Sequence, residues 1–111
     1  MAGAKHFILT LNGSAQRLSS VLPNVAVGGV DDIGCRQIIL QQVPANTAVI
    51  YGGADDTVSA TDHGWSLDPT QATAGNDRVV FGPFDSGPIR LSDIWVIGTN
   101  NELLAIFLIP Y

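Results

Sequence analysis

Positively charged side chains are scarce in this sequence. Lys and Arg number 5 against 10 Asp and Glu, which gives a formal net charge of −5. The cations are scattered along the chain as Lys5, Arg17, Arg36, Arg78 and Arg90. A phosphate-binding surface needs clustered cations, so the sequence argues against nucleic acid or an anionic membrane as a partner. Because only 14% of the residues are charged, the surface needs little free energy to desolvate, which suits contact with other proteins.

Side chains that bind metals or form disulfides are equally few. Cys35 is the single cysteine, so no disulfide can form within the chain. We predict that Cys35 lies buried in a strand as a small apolar residue, because neither His6 nor His63 belongs to a motif that pairs with a catalytic thiolate. The 2 histidines and 1 cysteine do not suffice for a zinc site within one chain.

No segment is typical of a membrane span or of a secretion signal. The longest apolar run is far shorter than the roughly 20 residues that cross a bilayer. Residues 1–6 lack the charged segment of a signal peptide, and no apolar stretch of about 7–15 residues follows them. We therefore expect synthesis and folding in a cytoplasm.

Catalytic motifs are also missing. A serine hydrolase of the Gly-x-Ser-x-Gly type is not indicated, because the nearest segment, residues 12–16, reads Asn-Gly-Ser-Ala-Gln. A glycosidase with paired carboxylates stays open, but Glu102 is the only glutamate and nothing sets two carboxylates apart. We predict that the protein is not an enzyme and has no catalytic, cofactor-binding or metal-binding residues.

Aspartates are numerous and fall in polar segments. They are Asp31, Asp32, Asp55, Asp56, Asp62, Asp68, Asp77, Asp85 and Asp93. The Asp-Asp pairs lack the alternate spacing of an EF-hand loop, so we interpret the aspartates as turn formers that bond their own backbone. A calcium site in a loop is the alternative. His63 is predicted to be a polar turn residue.

Short strand patterns run along the chain. Residues 5–11 alternate, with Phe7, Leu9 and Leu11 on one face and His6, Ile8 and Thr10 on the other. Residues 35–43 are apolar on both faces in the middle, which is typical of an interior strand, and residues 47–51 are predicted to return as a hairpin. Brief strands are predicted at residues 58–59, 78–82 and 88–91, with a possible edge strand at residues 25–27. One short helix is predicted within residues 14–22, capped by Ser14.

The last twenty residues contain two apolar runs, residues 94–97 and 103–109, around a polar link. This pattern predicts a hairpin whose last strand is central, because an apolar strand left at an edge promotes aggregation. Both runs are predicted to be interior, so a charge at Ile106 or Phe107 is expected to prevent folding. Pro110 and Tyr111 are left either on the rim of the fold or against a neighbour.

The fold class follows from the number and spacing of these strands. A chain of 111 residues forms one domain, residues 1–111. About seven to nine short strands with regular turn signals and at most one short helix predict an all-β, antiparallel β-sandwich or barrel. Tyr51 and Trp95 lie in strand patterns and are predicted to pack in the core, whereas Trp65 and Tyr111 are free to contact a sugar or a protein.

An ordered set of segments carries a resemblance to a known family. The set comprises Gln16-Arg17-Leu18-Ser19-Ser20-Val21, Cys35-Arg36-Gln37-Ile38-Ile39-Leu40-Gln41, Asn46, Val49-Ile50-Tyr51-Gly52, Val58-Ser59, Gly64 with Leu67, and Leu91-Ser92-Asp93-Ile94-Trp95-Val96-Ile97-Gly98-Thr99 before an apolar strand. The sequence resembles the small jelly-roll "staple" decoration proteins on the capsids of epsilon-type short-tailed bacteriophages.

The resemblance implies a jelly-roll-like β-sandwich that binds the outer capsid surface of the virion. Such a protein contacts the major capsid protein, forms a homodimer, ties neighbouring capsomers together and has no cofactor. A second hypothesis is a carbohydrate-binding jelly-roll module, on a phage tail or as a free lectin, with Trp65 as the first candidate for sugar contact. A cupin-like enzyme is a third option, which the shortage of metal ligands disfavours.

Overall fold

A computed structural model describes residues 4–21, 34–69, 77–83 and 89–110. The strands of the described residues are β1 (Lys5–Thr10), β2 (Gln16–Arg17), β3 (Gly34–Gln42), β4 (Ile50–Gly53), β5 (Trp65–Leu67), β6 (Arg78–Phe81), β7 (Ile89–Arg90), β8 (Trp95–Ile97) and β9 (Leu103–Pro110). A single helical turn, α1 (Leu18–Val21), follows β2, and a 3₁₀ turn spans Leu91–Asp93. No helix in these ranges is long and apolar enough to cross a membrane.

Two antiparallel sheets pack against each other. Sheet 1 has the order β1-β9-β3-β6, with β7 also paired to β3, and sheet 2 has the order β2-β8-β4-β5. If β7 is set aside, sheet 1 joins the first, eighth, third and sixth strands of the chain, and sheet 2 joins the second, seventh, fourth and fifth. This interleaving is the topology of a jelly roll. The predicted all-β sandwich is therefore confirmed.

The core lies between the inner faces of the two sheets. Its buried apolar residues are Leu9, Leu11, Leu18, Cys35, Ile38, Leu40, Ile50, Leu67, Leu91, Ile94, Val96, Leu104, Ile106 and Leu108. The two predicted faces of the first strand are confirmed, because Leu9 and Leu11 are buried while His6, Ile8 and Thr10 are exposed. Cys35 is fully buried, as predicted. β9 is central, since it pairs with β1 on one side and with β3 on the other.

Both predicted hairpins are wrong. β3 belongs to sheet 1 but β4 belongs to sheet 2, and β8 and β9 are divided between the sheets in the same way. Each connection therefore crosses from one sheet to the other, so its two flanking strands face each other across the core. The second crossing turns at Asn101, which has a φ of 72° and donates its backbone N–H to the Leu11 carbonyl at 2.8 Å.

Three smaller expectations also need correction. Residues 58–59 are not a strand: Val58 is a buried loop residue, and the strand of this region is β5, which the sequence pattern did not reveal. Residues 47–49 precede β4 rather than belong to it. Ser14 does not cap α1; its backbone N–H donates to Asn12 Oδ1 at 2.9 Å. The possible edge strand at residues 25–27 lies outside the described residues.

Candidate protein-binding face

The outer face of sheet 1 carries a row of four side chains, one from each main strand. Phe107 in β9 is aligned with His6 of β1 and with Ile39 of β3. Ile39 is in turn aligned with Val80 of β6. Residues aligned across neighbouring strands point to the same side of a sheet, so these four form one continuous row.

A second row lies two residues along each strand. Ala105 is aligned with Ile8 on one side and with Gln41 on the other, and Gln41 is aligned with Arg78. Together, the two rows place Ile8, Ile39, Val80, Ala105 and Phe107 side by side; we call these five residues the apolar face. The polar residues of the two rows are His6, Gln41 and Arg78, and neither row contains a carboxylate.

The apolar face is open to solvent. Ile8 is 58% exposed, Val80 47% and Phe107 40%, which are high values for side chains of this size. A shallow groove between β1, β9 and β3 is lined by Ile8, Ile39, Ala105 and Phe107 with His6 and Gln41 at its margins. Four strands about 4.8 Å apart and roughly 25 Å long give an outer face on the order of 500 Å². The apolar face occupies part of this area, and a contiguous exposed apolar patch of a few hundred Å² is often a binding site.

The position of Phe107 corrects the expectation that residues 106 and 107 are both interior. Ile106 is 1% exposed and belongs to the core, whereas its neighbour Phe107 points outward. The physical reason is the two-residue period of a strand, which a continuous apolar run does not reveal. The expectation that a charge at Phe107 prevents folding is therefore withdrawn, and the one for Ile106 is kept.

A polar cluster joins the two sheet-crossing connections at one end of the sandwich. Asn46 Nδ2 donates to the Leu103 carbonyl and to Gln42 Oε1, and Asn46 Oδ1 accepts the Leu103 N–H at 3.0 Å. Gln42 Nε2 donates to the carbonyls of Ala48, at 2.9 Å, and Leu67, at 2.8 Å. Both Gln42 and Asn46 are buried, so these bonds replace the water that their amides would otherwise hold.

Glu102 extends this cluster toward solvent. Its carboxylate accepts the backbone N–H of Thr47 and that of Ala48, each at 2.9 Å, and the Thr47 hydroxyl at 3.2 Å. These donors, the Thr47 N–H first, hold the pKa of Glu102 below its ordinary value of 4.5, against the opposing effect of partial desolvation. Gln42, Asn46 and Glu102 thus act as a clamp that holds both connections, and their place in the fold indicates a structural role.

Asp55, Asp93 and His63 behave as the turn residues that were predicted, and the Asp93 carboxylate accepts the Arg90 N–H at 3.1 Å. Asp55 Oδ1 accepts the backbone N–H of Thr57 at 3.0 Å and also its hydroxyl, and this hydroxyl is the main reason that the pKa of Asp55 is lowered. His63 is exposed, with Nδ1 3.0 Å from the Ser59 carbonyl and its ring 4.7 Å from that of Tyr51. Within the described ranges, no three His, Cys, Asp or Glu side chains are grouped as metal ligands.

Two aromatic side chains differ from their predicted positions. Tyr51 and Trp95 were assigned to the core, but both are half-buried on the outer face of sheet 2, where their strand neighbours Ile50 and Val96 point inward. The Arg17 guanidinium lies 5.7 Å from the centre of the Trp95 ring. Its Nε donates to the Ser92 carbonyl at 3.0 Å, which holds the cation over the indole.

Trp65 is less accessible than the carbohydrate hypothesis requires. It is half-buried, covers Gly52 and meets Phe81 edge to face at 6.1 Å. One edge of the ring lines a cleft with Phe81, Ile89 and other residues of the sandwich rim. The part of the indole that covers Gly52 cannot stack on a sugar, so ligand contact is limited to the part of Trp65 that lines this cleft. Tyr111 lies outside the described residues.

The apolar face was not among the candidates taken from the sequence. One signal for it was present: Ile8 is an apolar residue on the otherwise polar face of the first strand. Its partners Val80 and Phe107 could be recognised only after the strands were aligned, since they lie in apolar runs that conceal which side each residue takes.

Comparison with known proteins finds no relative of this chain. No family model matches the chain, and neither the curated proteins nor the solved structures searched contain a match. The function is therefore inferred from the described surface and from the residues that form it.

Proposed function

We propose that this protein is a capsid decoration protein of a tailed bacteriophage, which binds the outer surface of the major capsid shell and links neighbouring capsomers. The observation that carries the binding role is the apolar face of sheet 1. The nature of the partner follows from the resemblance of the sequence to capsid staple proteins. The jelly-roll topology agrees with this role but serves many others, so the surface carries more weight than the fold.

The size of the apolar face fits a contact that is weak alone and firm when repeated. Its three most exposed side chains, Ile8, Val80 and Phe107, present roughly 250 Å² of apolar surface, so burying them contributes on the order of 6 kcal/mol. Association of two proteins costs about 4–15 kcal/mol in lost freedom and ordering. One face therefore gives a modest affinity, whereas two linked faces on a symmetric shell gain strength from avidity. A homodimer is accordingly part of the proposal.

A single substitution tests the binding face. Phe107→Asp places a charge at the centre of the apolar face without entering the core, so the variant should fold. We expect its affinity for capsid shells that lack the protein to fall by at least about tenfold, because a desolvated carboxylate without a partner opposes binding. The measurement is cosedimentation of purified protein with shells from the phage that encodes it, followed by the heat stability of the particles.

Two controls separate surface from fold. Ser66→Asp adds the same charge at an exposed position on sheet 2, and this variant should bind shells like the wild type and protect them against heat. Ile106→Asp places the charge in the core and should give insoluble protein. If Phe107→Asp binds and protects shells as well as Ser66→Asp does, the apolar face is not the contact and the proposal is wrong.

The second candidate is a carbohydrate-binding module, favoured by the cleft beside Trp65, Phe81 and Ile89. This function predicts glycan binding that is lost in Trp65→Phe, a variant whose fold is checked by circular dichroism because Trp65 also packs against Gly52 and Phe81. A glycan array probed with the wild-type protein distinguishes the two functions. Silence across the array rules against the carbohydrate function, and a specific signal that disappears in Trp65→Phe favours it over the capsid role.

A further inference from the structure

The edge of sheet 1 formed by β1 has backbone groups that no described strand pairs. β9 is the only strand aligned with β1 in the part of the chain that the structure describes. Leu11, directly after β1, points its N–H toward the β9 side and donates it to the Glu102 carbonyl at 2.8 Å. Because backbone groups alternate in direction along a strand, the N–H and C=O groups of His6, Ile8 and Thr10 point away from β9.

This edge is the longest and most regular of the four described sheet edges. β1 has 6 residues, whereas β2 has 2, β5 has 3 and β6 has 4. Its alignment with β9 runs from Lys5 to Thr10 without a shift, in contrast to the bulge between β3 and β9 at Cys35 and Gln37. Proteins protect such edges with prolines, bulges, short strands or charged side chains; β1 has no proline or bulge and is not short, and Lys5 at its first position is its one lysine.

We propose that β1 pairs antiparallel with β1 of a second copy of this chain, with Ile8 facing Ile8 at the centre. We call this contact the β1 seam. In this register His6 of one copy faces Thr10 of the other, so each outward N–H meets an outward C=O. A strand paired with itself in this way is self-complementary, as the interface of a two-fold dimer must be.

The side chains along the β1 seam allow this approach. His6, Ile8 and Thr10 include no carboxylate, so the net charge of −5 is not concentrated at the contact. The described carboxylates of the loop between β4 and β5, at Asp55, Asp56 and Asp62, belong to the sheet 2 side of the sandwich. Repulsion between charges separated by more than about 8–10 Å is largely screened at physiological salt.

The geometry of the β1 seam also explains how one dimer presents two binding faces. The two-fold axis of an antiparallel strand pair is perpendicular to the sheet, so both copies keep the same side of sheet 1 outward. The two apolar faces then lie side by side on one continuous sheet and can contact a shell together. This use of the β1 seam rests on the proposed function, whereas the seam itself does not.

A pair of substitutions at Ile8 tests the β1 seam by analytical ultracentrifugation. Ile8→Pro removes an outward N–H but no bond to β9, which is the position where an edge strand tolerates proline. Ile8→Thr changes the side chain and keeps the N–H. We expect wild type and Ile8→Thr to sediment as dimers, and the dimer affinity of Ile8→Pro to fall by about 30-fold or more. A monomeric wild type, or an Ile8→Pro variant that dimerises like Ile8→Thr, overturns the seam.

Amide hydrogen exchange gives a measurement on the unaltered chain. The amides of Ile8 and Thr10 should exchange slowly at high protein concentration and quickly after dilution, while the amide of Leu9 should remain protected by β9 at both concentrations. If the exchange of Ile8 and Thr10 does not depend on concentration, the β1 seam is wrong, whether or not the proline variant folds.

The Phe107→Asp variant distinguishes failure of the β1 seam from failure of the proposed function. It should remain dimeric while it loses shell binding, because Phe107 lies on the apolar face and not at the β1 edge. If Phe107→Asp is monomeric, the copies associate through their apolar faces and the seam is overturned. If the dimer depends on Ile8 as expected but does not bind shells, the proposed function fails and the seam stands.

Discussion

Removal of the Asn46 side chain should destabilise the protein more than its small size suggests. Asn46→Ala deletes the amide that connects the two sheet-crossing connections through Leu103 and Gln42. The backbone N–H and C=O of Leu103 both lose a partner, and so does Gln42 Oε1. Asn46 is only 8% exposed, so water cannot replace all of these bonds without opening the end of the sandwich.

The expected loss follows from the number of polar groups left without partners. An unsatisfied buried group costs about 1–3 kcal/mol, and these groups are partly buried, so the free energy of unfolding should fall by about 2–4 kcal/mol. This is a large share of the roughly 5–15 kcal/mol that stabilises a domain. The midpoint of thermal unfolding should fall by roughly 10–15 °C.

Urea unfolding followed by circular dichroism measures this loss. Asn46→Asp keeps the oxygen that accepts the Leu103 N–H but removes both N–H donors. Its free energy of unfolding should therefore also be lower than that of the wild type. Asn100→Ala is the matched control, because Asn100 is exposed in the same connection as Glu102 and its side chain makes no hydrogen bond to the described residues. If Asn46→Ala and Asn100→Ala lie within about 0.5 kcal/mol of each other, the clamp does not hold the connections as described.

Two further predictions concern Glu102 and Gly52. The pKa of Glu102 is lower in the folded protein than in the unfolded chain, so the stability from its bonds to Thr47 and Ala48 should be fully present above pH 4.5 and be lost as the pH falls through the lowered pKa. Glu102→Gln should remove this part of the pH dependence of the free energy of unfolding, measured in urea from neutral to acidic pH. An unchanged pH profile in Glu102→Gln would contradict this role of Glu102. Gly52→Ala should lower the free energy of unfolding by about 1–3 kcal/mol, because the new methyl overlaps the indole of Trp65. Gly64→Ala, where a methyl meets only ordinary contacts, is the control, and equal losses in the two variants would refute the packing described for Trp65.

The sequence predicts the fold class well because alternation and turn residues are local signals. Apolar and polar residues alternate along residues 5–11, so the two faces of β1 could be assigned from the sequence pattern alone. The central place of β9 followed from a physical need, since an apolar strand at an edge would aggregate. Both expectations depend on one segment at a time, and both are confirmed.

The pairing of strands was not predictable in the same way. A polar link between two apolar runs looks the same whether the strands pair with each other or cross to opposite sheets. The choice is made by distant partners: β9 pairs with β1 and β3, and β8 pairs with β2 and β4. The bonds that hold the crossings, such as those of Asn46 to Leu103, join residues too far apart in sequence for local patterns to reveal.

The candidate binding face was hidden for a related reason. In a continuous apolar run such as residues 103–109, hydrophobicity does not say which residues point inward. Phe107 was assigned to the core although it points to solvent, and Tyr51 and Trp95 were misplaced in the same way. Only the alignment of β9, β3 and β6 shows that Phe107, Ile39 and Val80 share one surface.

The central place of β9 also has a consequence for the synthesis of the protein. β1 is made long before its described partner, residues 103–110, so their pairing joins distant parts of the sequence. At about 5–20 residues per second, a ribosome needs roughly ten seconds to synthesise the chain between these two strands. Throughout that interval β1 and β3 are without the strand that lies between them. Sheet 1 can therefore be completed only after translation has passed residue 110.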